Sequence, residues 1–432
     1  MSTRPAAHLV SSEYLAKYQK ATELMKALPA DDPRNFTQQA NVHCAYCNGG
    51  YNQVDFPKID YQVHFSWLFF PFHRMYLYFY EKILGSLIKD PNFALPFWNW
   101  DHPNGMYLPQ IFNDVNSLLY DKYRNCQHLP PTLMDLDYSG NDPTTTTEEQ
   151  IASNLTIMHK QMVSSAGSPK LFYGDPYVAG DEDTTKGAGT IENIPHNSVH
   201  RWTGTKKGIC GITDDPPYGE DMGILYSASR DPIFYAHHAN VDRMWTIWKN
   251  LEAKKKRSTG DALENKKLGY QYQDVEIPWL QSRPTPLRKK PTKGAARKAP
   301  LVTLSQTLDS KIAVELKREK NSRSKAEKED QVEILVIEGV EFESTEYVKF
   351  DVYVNDEDES GPGKTEFAGS FVRVPHKGGD KKMTSKFQIG ITELLEDIGA
   401  DDDDDLVVVL VPRTGTVTVN GPIRIEFDSC KD

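Results

Sequence analysis

A mainly α-helical domain followed by a β-sandwich is the multidomain fold that this 432-residue chain predicts. Three observations carry it. Apolar residues recur at helical spacing in the first two thirds, the chain then turns basic and proline-rich, and beyond that apolar and polar residues alternate. The expected division is a helical domain over 1–282, a linker over 283–300 and a sandwich over 301–432.

Residues 11–28 place Leu15, Tyr18, Leu24 and Leu28 near one side of an amphipathic helix. Residues 72–88, opening just after Pro71, carry Met75, Leu77, Phe79, Ile83 and Leu87 and read as a buried helix. Residues 148–163 repeat Ile151, Leu155, Met158 and Met162 at the same spacing. Pro195 opens a short helix that Gly204 can end. Asp231 and Pro232 supply an N-cap and a first-turn proline for a helix to Asn250. Arg283 to Pro300 holds four prolines, seven basic residues and no acid, the composition of an extended, protease-accessible linker. No aromatics interleave these charges, so a nucleic-acid patch is not expected there. Val348, Phe350, Val352 and Val354 then alternate with Tyr347, Lys349, Asp351 and Tyr353. Val332–Ile337, Phe367–Val374, Leu406–Val411, Val417–Val419 and Ile423–Phe427 complete the expected strands. Asp401–Asp405 reads as a solvated loop and lacks the ligand spacing of an EF-hand calcium site.

Bulk properties narrow the function. A net charge of −11 argues against nucleic acid as the main partner. No stretch approaches the roughly 18 apolar residues of a membrane-spanning helix. The opening Met1–His8 shows neither an apolar signal core nor a Ser/Arg-rich transit segment, so the chain is expected to be unaddressed as it stands. Cys44, Cys47, Cys126, Cys210 and Cys430 are odd in number and scattered, which does not suggest a disulfide framework. Cys44 and Cys47 form a lone C-x-x-C, leaving redox or zinc chemistry open.

The histidines are more informative. Residues 231–245 read Asp-Pro-Ile-Phe-Tyr-Ala-His-His-Ala-Asn-Val-Asp-Arg-Met-Trp, with His237 and His238 paired in an apolar helix. His196 and His200 lie four apart, hence on one helical face. Imidazole suits copper, zinc, iron and nickel, so a histidine-built metal centre is expected. Helices that face one another in a bundle are a natural place for it.

Three histidines fall early, His43, His64 and His73, and three late, His196, His200 and His238. This arrangement resembles the type 3 dinuclear copper proteins, specifically the plant polyphenol oxidases (catechol oxidases and tyrosinases). His43-Cys-Ala-Tyr-Cys47 and His64-Phe-Ser-Trp-Leu-Phe-Phe-Pro-Phe-His73-Arg resemble the copper A segments. Pro96-Phe-Trp-Asn-Trp-Asp101 is similar to a core motif of the family. His196-Asn-Ser-Val-His200 and the His237-His238 segment resemble copper B. Lys349-Phe-Asp-Val352 is similar to the motif that names the family's C-terminal domain, and Tyr270-Gln-Tyr272 to the one closing its catalytic domain, on which Arg4 is expected to stack.

The resemblance implies a four-helix bundle around two copper ions, copper A on His43, His64 and His73 and copper B on His196, His200 and His238. It implies oxidation of o-diphenols to o-quinones with reduction of O2 to water, and scope for o-hydroxylation of monophenols. It also implies a latent enzyme, shielded by its C-terminal domain until that domain is displaced or cut away. Cys47 and His64 match positions joined by a thioether in relatives; the alternative is a free buried cysteine. Glu192 and Asn197 match a pair thought to hold a water that deprotonates a monophenol; Glu192 reads equally as an acid balancing a helix N-terminus. Arg201 is placed to steer substrate by charge. Leu225 stands where many relatives carry a phenylalanine gate, which implies a wider mouth. His237 is expected to be a hydrogen-bonded neighbour of the ligands. Asp242 either fixes a ligand ring or forms a helix-surface ion pair. His102 is expected beside the centre without binding metal, and His8, His128, His159 and His376 on the surface or in loops.

Three departures accompany the match. Relatives begin with a longer segment carrying a partner for Cys44, which is therefore expected unpaired. They reside in the plastid (thylakoid lumen), whereas this N-terminus suggests a processed or cytosolic form. Between Trp248 and Tyr270 nothing resembles their Asp-Trp-Leu segment, and Glu252–Lys267 is short and charged, which predicts exposed apolar surface and lowered stability. Two other functions fit the same residues: a haemocyanin-like oxygen carrier without turnover, and an inactive relative weakened by the missing segments.

Overall fold

In the computed structural model the described residues are 1–142, 144–181, 186–205, 208–212, 220–254, 264–287, 301–356, 361–376 and 381–430. The linker residues 288–300 and most of the charged stretch 252–267 lie outside them.

The chain opens with β1 (Ser2–Arg4) and α1 (Ser12–Lys26), whose N-terminus is capped by Ser11 accepting from the Tyr14 N–H. Next comes α2 (Phe36–Cys47), followed by a hairpin of β2 (Asn52–Gln53) and β3 (Phe56–Asp60). The aromatic helix α3 (Phe69–Leu87) begins two residues before Pro71, which sits in its first turn, where a missing N–H costs nothing. Phe79 faces solvent, and the buried side instead carries Phe70, His73, Leu77, Tyr80 and Leu84. The next helices are α4 (Thr147–His159), opened by a Thr146/Glu149 capping box, and α5 (Pro169–Tyr173). The short α6 (Asn197–Thr203) ends at Gly204. That glycine is not left-handed (φ −75°); a Cβ there would stand 2.2 Å from the Gly223 nitrogen, so close packing demands it. The central α7 (Ile233–Lys254) is capped by Asp231, which accepts from the Ile233 N–H at 2.8 Å and pairs with Arg124 at 2.6 Å. Then β4 (Tyr270–Tyr272) returns to pair in parallel with β1, and Arg4 stacks on Tyr270 at 3.8 Å.

The C-terminal part is a sandwich. Its strands are β5 (Leu301–Thr303), β6 (Gln306–Thr307), β7 (Ile312–Lys317), β8 (Gln331–Glu343), β9 (Val348–Val354), β10 (Phe367–Arg373), β11 (Lys382–Gly390), β12 (Asp405–Thr414), β13 (Thr418–Val419) and β14 (Pro422–Ser429), with two short helices, α8 (Lys325–Asp330) and α9 (Thr392–Asp397). One sheet runs β10-β9-β12-β7; the other runs β5-β14-β8-β13-β6, with β11 also on β8. Sequence patterning misses β5, β6, β7 and β11, which are short or carry polar residues. One face of β9 (Val348, Phe350, Val352, Val354) fills the sandwich core. The other face, Tyr347, Lys349, Asp351 and Tyr353, is buried too, and Tyr347 and Tyr353 join the core of the helical domain. The first sheet is therefore packed on both sides, with the helices against its outer face.

Several single-residue expectations change. Cys126 and Cys210 form a disulfide across 84 residues, while Cys44, Cys47 and Cys430 are not disulfide-bonded. Cys47 is buried among histidines and Cys44 is not part of that group, which removes the zinc C-x-x-C reading. His128 is buried against the Trp202 ring at 4.5 Å, and His159 is buried with its Nδ1 3.0 Å from the Trp279 carbonyl, so neither is a surface residue. In the acidic loop, the Asp401 and Asp403 carbonyls accept from Arg318, and Asp405 opens β12. Among the described residues, no helix is long and apolar enough to cross a membrane.

Candidate metal centre

Four helices bring the predicted histidines together. His43 and Cys47 stand one turn apart on α2, His64 lies in the segment leading into α3, and His73 lies in α3. Their potential ligand atoms all fall within 4.8 Å of one another. His196 precedes α6, His200 lies within it, and His237 and His238 lie on α7; these four form a second group on the same criterion. The groups face each other, with the His73 and His238 rings stacked at 4.2 Å. All of these side chains are buried.

Backbone geometry decides which nitrogen each ring offers. The Nδ1 of His73 faces the Phe69 carbonyl at 2.7 Å, that of His196 the Glu192 carbonyl at 3.3 Å, and that of His200 the Met222 carbonyl at 2.9 Å. A carbonyl only accepts, so the proton sits on Nδ1 and the lone pair on Nε2. The Nε2 atoms of His43, His64 and His73 are buried without a hydrogen-bond partner. The His200 Nε2 stands 3.2 Å from that of His196 and 3.4 Å from that of His238. Lone pairs converging in this way repel unless a cation lies among them. Burial first, then repulsion between rings, holds His43, His64, His196 and His238 well below the usual histidine range. Burial takes His73 to about 3 and His200 to about 4, so the rings are neutral and able to ligate. Three neutral imidazoles per site are a donor set that suits copper.

His237 falls in the second group, yet its chemistry differs. The Trp100 Nε1–H can only donate, and it donates to the His237 Nδ1 at 3.2 Å. The neutral ring must then carry its proton on Nε2, which leaves no lone pair there for a metal. His237 packs flat on His196 at 5.2 Å and supports a neighbouring ring.

The other expected residues divide. Glu192 is buried; its Oε1 accepts from the Phe65 N–H at 2.7 Å, Oε2 has no partner, and burial pushes the carboxyl up to about 8. It is thus no exposed helix-end acid. Asn197 donates from Nδ2 to the Val372 carbonyl at 2.9 Å, a contact from the sandwich. The Arg201 guanidinium lies over the Tyr347 ring at 4.9 Å. Leu225 is buried with Phe65, Ala188 and Val374, and its N–H donates to the Pro375 carbonyl at 3.0 Å. Asp242 touches no histidine and lies on no surface. Its carboxylate takes Arg74 at 2.5 Å, Arg4 at 3.2 Å and the hydroxyls of Tyr270 and Tyr272. His102 caps Asn104 and stacks on His8, away from both groups. His376, expected in a loop or at the surface, instead reaches Gln62 beside the first group at 3.2 Å.

Sequence reasoning missed four residues. Phe69 packs on His73 and His196, at 4.8 and 4.7 Å, and Phe234 packs on His238 and His43, at 4.2 and 4.7 Å. Each precedes a ligand candidate by four on its helix, a spacing that would have found both. Trp100 and Gln62 carried no such signal.

Comparison with known proteins agrees with this geometry. The common central domain of tyrosinase matches residues 33–251, the polyphenol oxidase middle domain 257–285, and the chloroplastic polyphenol oxidase C-terminal domain 304–427. The middle-domain match overturns the expectation that this segment is missing; it falls on the region holding Tyr270, Tyr272 and Trp279, and the predicted loss of stability goes with it. The chain is 53% identical to a chloroplastic polyphenol oxidase of Malus domestica, over 99% of this chain and 77% of that one. It is 50% identical to the chloroplastic (+)-larreatricin hydroxylase of Larrea tridentata, over 98% and 77%. It superposes on the structure of latent apple tyrosinase with a TM-score of 0.91 at 54% identity, covering 99% and 97% of the two chains. On these matches, the chain belongs to the plant polyphenol oxidases of the tyrosinase family.

Proposed function

We propose that this chain oxidises o-diphenols to o-quinones with two bound coppers, reducing O2 to water. The observation that carries this reading is the two facing sets of imidazole Nε2 atoms, buried and without a counter-charge. His43, His64 and His73 would hold one copper, and His196, His200 and His238 the other. Bound copper supplies the redox couple: two o-diphenols each give up two electrons and two protons, and one O2 leaves as two waters. The protein's part is to hold neutral rings in fixed tautomers, with Phe69 and Phe234 closing the apolar surround. The Cys47 Sγ lies within 4.8 Å of a His64 ring nitrogen, which supports the proposed thioether; that bond would stop the ring from turning.

Glu192 and Asn197 form the proposed water-holding pair for monophenol hydroxylation. The unpartnered Glu192 Oε2 supports a proton-accepting role, and so does a relative named a hydroxylase. Arg201 and Leu225 would meet substrate at the mouth, Leu225 leaving more room than a phenylalanine. Both are covered by the sandwich here, which supports latency in the intact chain. Residues 1–282 are proposed as the catalytic unit, 283–300 as the linker and 301–432 as the shield. Relatives named chloroplastic support a plastid location, with the thylakoid lumen as the finer proposal.

Oxygen uptake by the copper-loaded chain, freed of its C-terminal domain and given a simple o-diphenol, tests the reading. Rapid uptake that falls to background in His238→Ala is the expected result. Two bound coppers with reversible oxygenation and no quinone would favour an oxygen carrier instead.

A further inference from the structure

We propose that Gln62 is the positioning residue that sets the ligand atom of His64 and holds Cys47 beside it, an inference that rests on the copper-oxidase reading. Gln62 is buried, two residues before His64, and its amide meets four partners. The Oε1 accepts from the His64 backbone N–H at 2.9 Å and faces the His64 Nδ1 at 3.3 Å. The Nε2 donates to the Cys47 carbonyl at 3.0 Å and meets the His376 Nε2 at 3.2 Å. A backbone N–H can only donate and a carbonyl only accept, so the amide cannot be turned around. With oxygen facing it, the His64 Nδ1 must carry the ring proton. The lone pair is then on Nε2, which is buried and has no protein partner.

His73, His196 and His200 receive the same orientation from backbone carbonyls, which no side-chain substitution removes. His64 depends on a side chain. That side chain also grips the last residue of α2, whose carbonyl lies beyond the helix's own hydrogen bonds. One amide thus ties Cys47 to His64. Forming the cross-link breaks the Cys47 S–H and a His64 ring C–H bond and makes a C–S bond. The two electrons and two protons pass to O2, the oxidant of the proposed reaction, giving hydrogen peroxide.

The test compares full-length wild type, Gln62→Leu and Gln62→Glu, produced with copper. Copper per chain, intact mass after denaturation and melting temperature are measured. In Gln62→Leu, copper should fall from two toward one per chain. Most of these chains should be two hydrogens heavier than the mass calculated for the same variant with its cross-link, the mark of a missing bond, with melting little changed. Gln62→Glu keeps an acceptor toward His64 but has no donor for Cys47, so it should keep both coppers and still lose most of the cross-link. Two coppers and a complete cross-link in Gln62→Leu would overturn the proposal. Equal copper loss in both variants would also overturn it, by making Gln62 a packing residue. If Gln62→Leu does not fold, Gln62→Glu decides alone: a folded chain with both coppers and little cross-link supports the role, and one with a full cross-link or lost copper overturns it. A wild type that binds no copper would instead sink the copper-oxidase reading itself.

Discussion

Asp242→Ala is expected to lower the melting temperature of the chain on the order of 10 °C, the largest single-site loss of stability expected here. The carboxylate is buried with the guanidinium groups of Arg74 and Arg4 on it, and the Tyr270 and Tyr272 hydroxyls complete its shell. Removing one partner of such a network leaves buried cations without a counter-charge, at about 3–5 kcal/mol. For a large domain each kcal/mol moves the midpoint by roughly 2–4 °C. Glu81 still neutralises part of Arg4 at 2.9 Å, and Arg74 meets the Asp242 carbonyl, the Thr246 hydroxyl and the Trp245 ring, which carry no counter-charge. The network also ties β1 and β4 to α7, one turn past His238, so copper retention should fall with stability. Burial alone would raise the Asp242 pKa, but Arg74 and Arg4 outweigh it and hold the carboxyl below its ordinary 3.8. The stabilisation is therefore present above that value and lost as pH falls through the lowered one. Asp242→Asn, which keeps the shape and one acceptor, should lose less. A shift under about 2 °C for Asp242→Ala, against that 3–5 kcal/mol expectation, would show that the two arginines are solvated or re-paired.

Much of this molecule was legible in its sequence, because the signals were local. The i, i+4 pair His196/His200, the Asp231 cap and the alternation over 348–354 each act within one element, and the elements follow. The six ligand candidates carried enough pattern to show the family before any geometry. What failed was non-local. Asp242 reads as a ring-holder because it lies one turn past His238, but its carboxylate is taken by Arg74, Arg4, Tyr270 and Tyr272, which come from distant segments. Lys349 and Asp351 alternate with the apolar residues of their strand, and they are buried because another domain covers their face. The Cys126–Cys210 link and the approach of His376 to Gln62 depend on tertiary closure, which no spacing encodes. The middle segment at 257–285 carries no Asp-Trp-Leu tripeptide, so that short signal does not mark it.

Cutting the chain between 288 and 300 is expected to leave o-diphenol oxidation nearly unchanged, whereas the same cut in Lys349→Met should raise it at least tenfold. The difference lies in the interface. The Lys349 ammonium reaches across it to Asp137 at 2.9 Å while also binding Asp351 at 2.6 Å, and the Ser370 hydroxyl donates to Asp137 at 2.9 Å. Lys160 donates to the Lys364, Thr365 and Phe367 carbonyls, Arg373 to Asn193 at 2.8 Å and Tyr347 to the Tyr138 carbonyl at 3.0 Å. None of these contacts is covalent and none passes through the linker, so cleavage alone leaves them standing. Burial opposes the Lys349 charge, yet the two carboxylates outweigh it and hold that group charged. Lys349→Met would leave Asp137 and Asp351 facing each other in a dry interface, with Arg413 left to balance only Asp351. Losing one member of a buried pair at about 3–5 kcal/mol corresponds to a hold on the severed domain weaker by roughly 10² to several times 10³. Size-exclusion chromatography of the cut chains, run beside the oxygen-uptake assay, separates the cases: the wild-type pieces should co-elute and the Lys349→Met pieces should part. Pieces of the cut wild type that part on their own, with full activity, would place the restraint in the linker rather than in the buried charges. Co-elution of the cut variant without activation would show that the apolar contacts of Val374 with Leu225 and Phe65 are enough to keep the site shut.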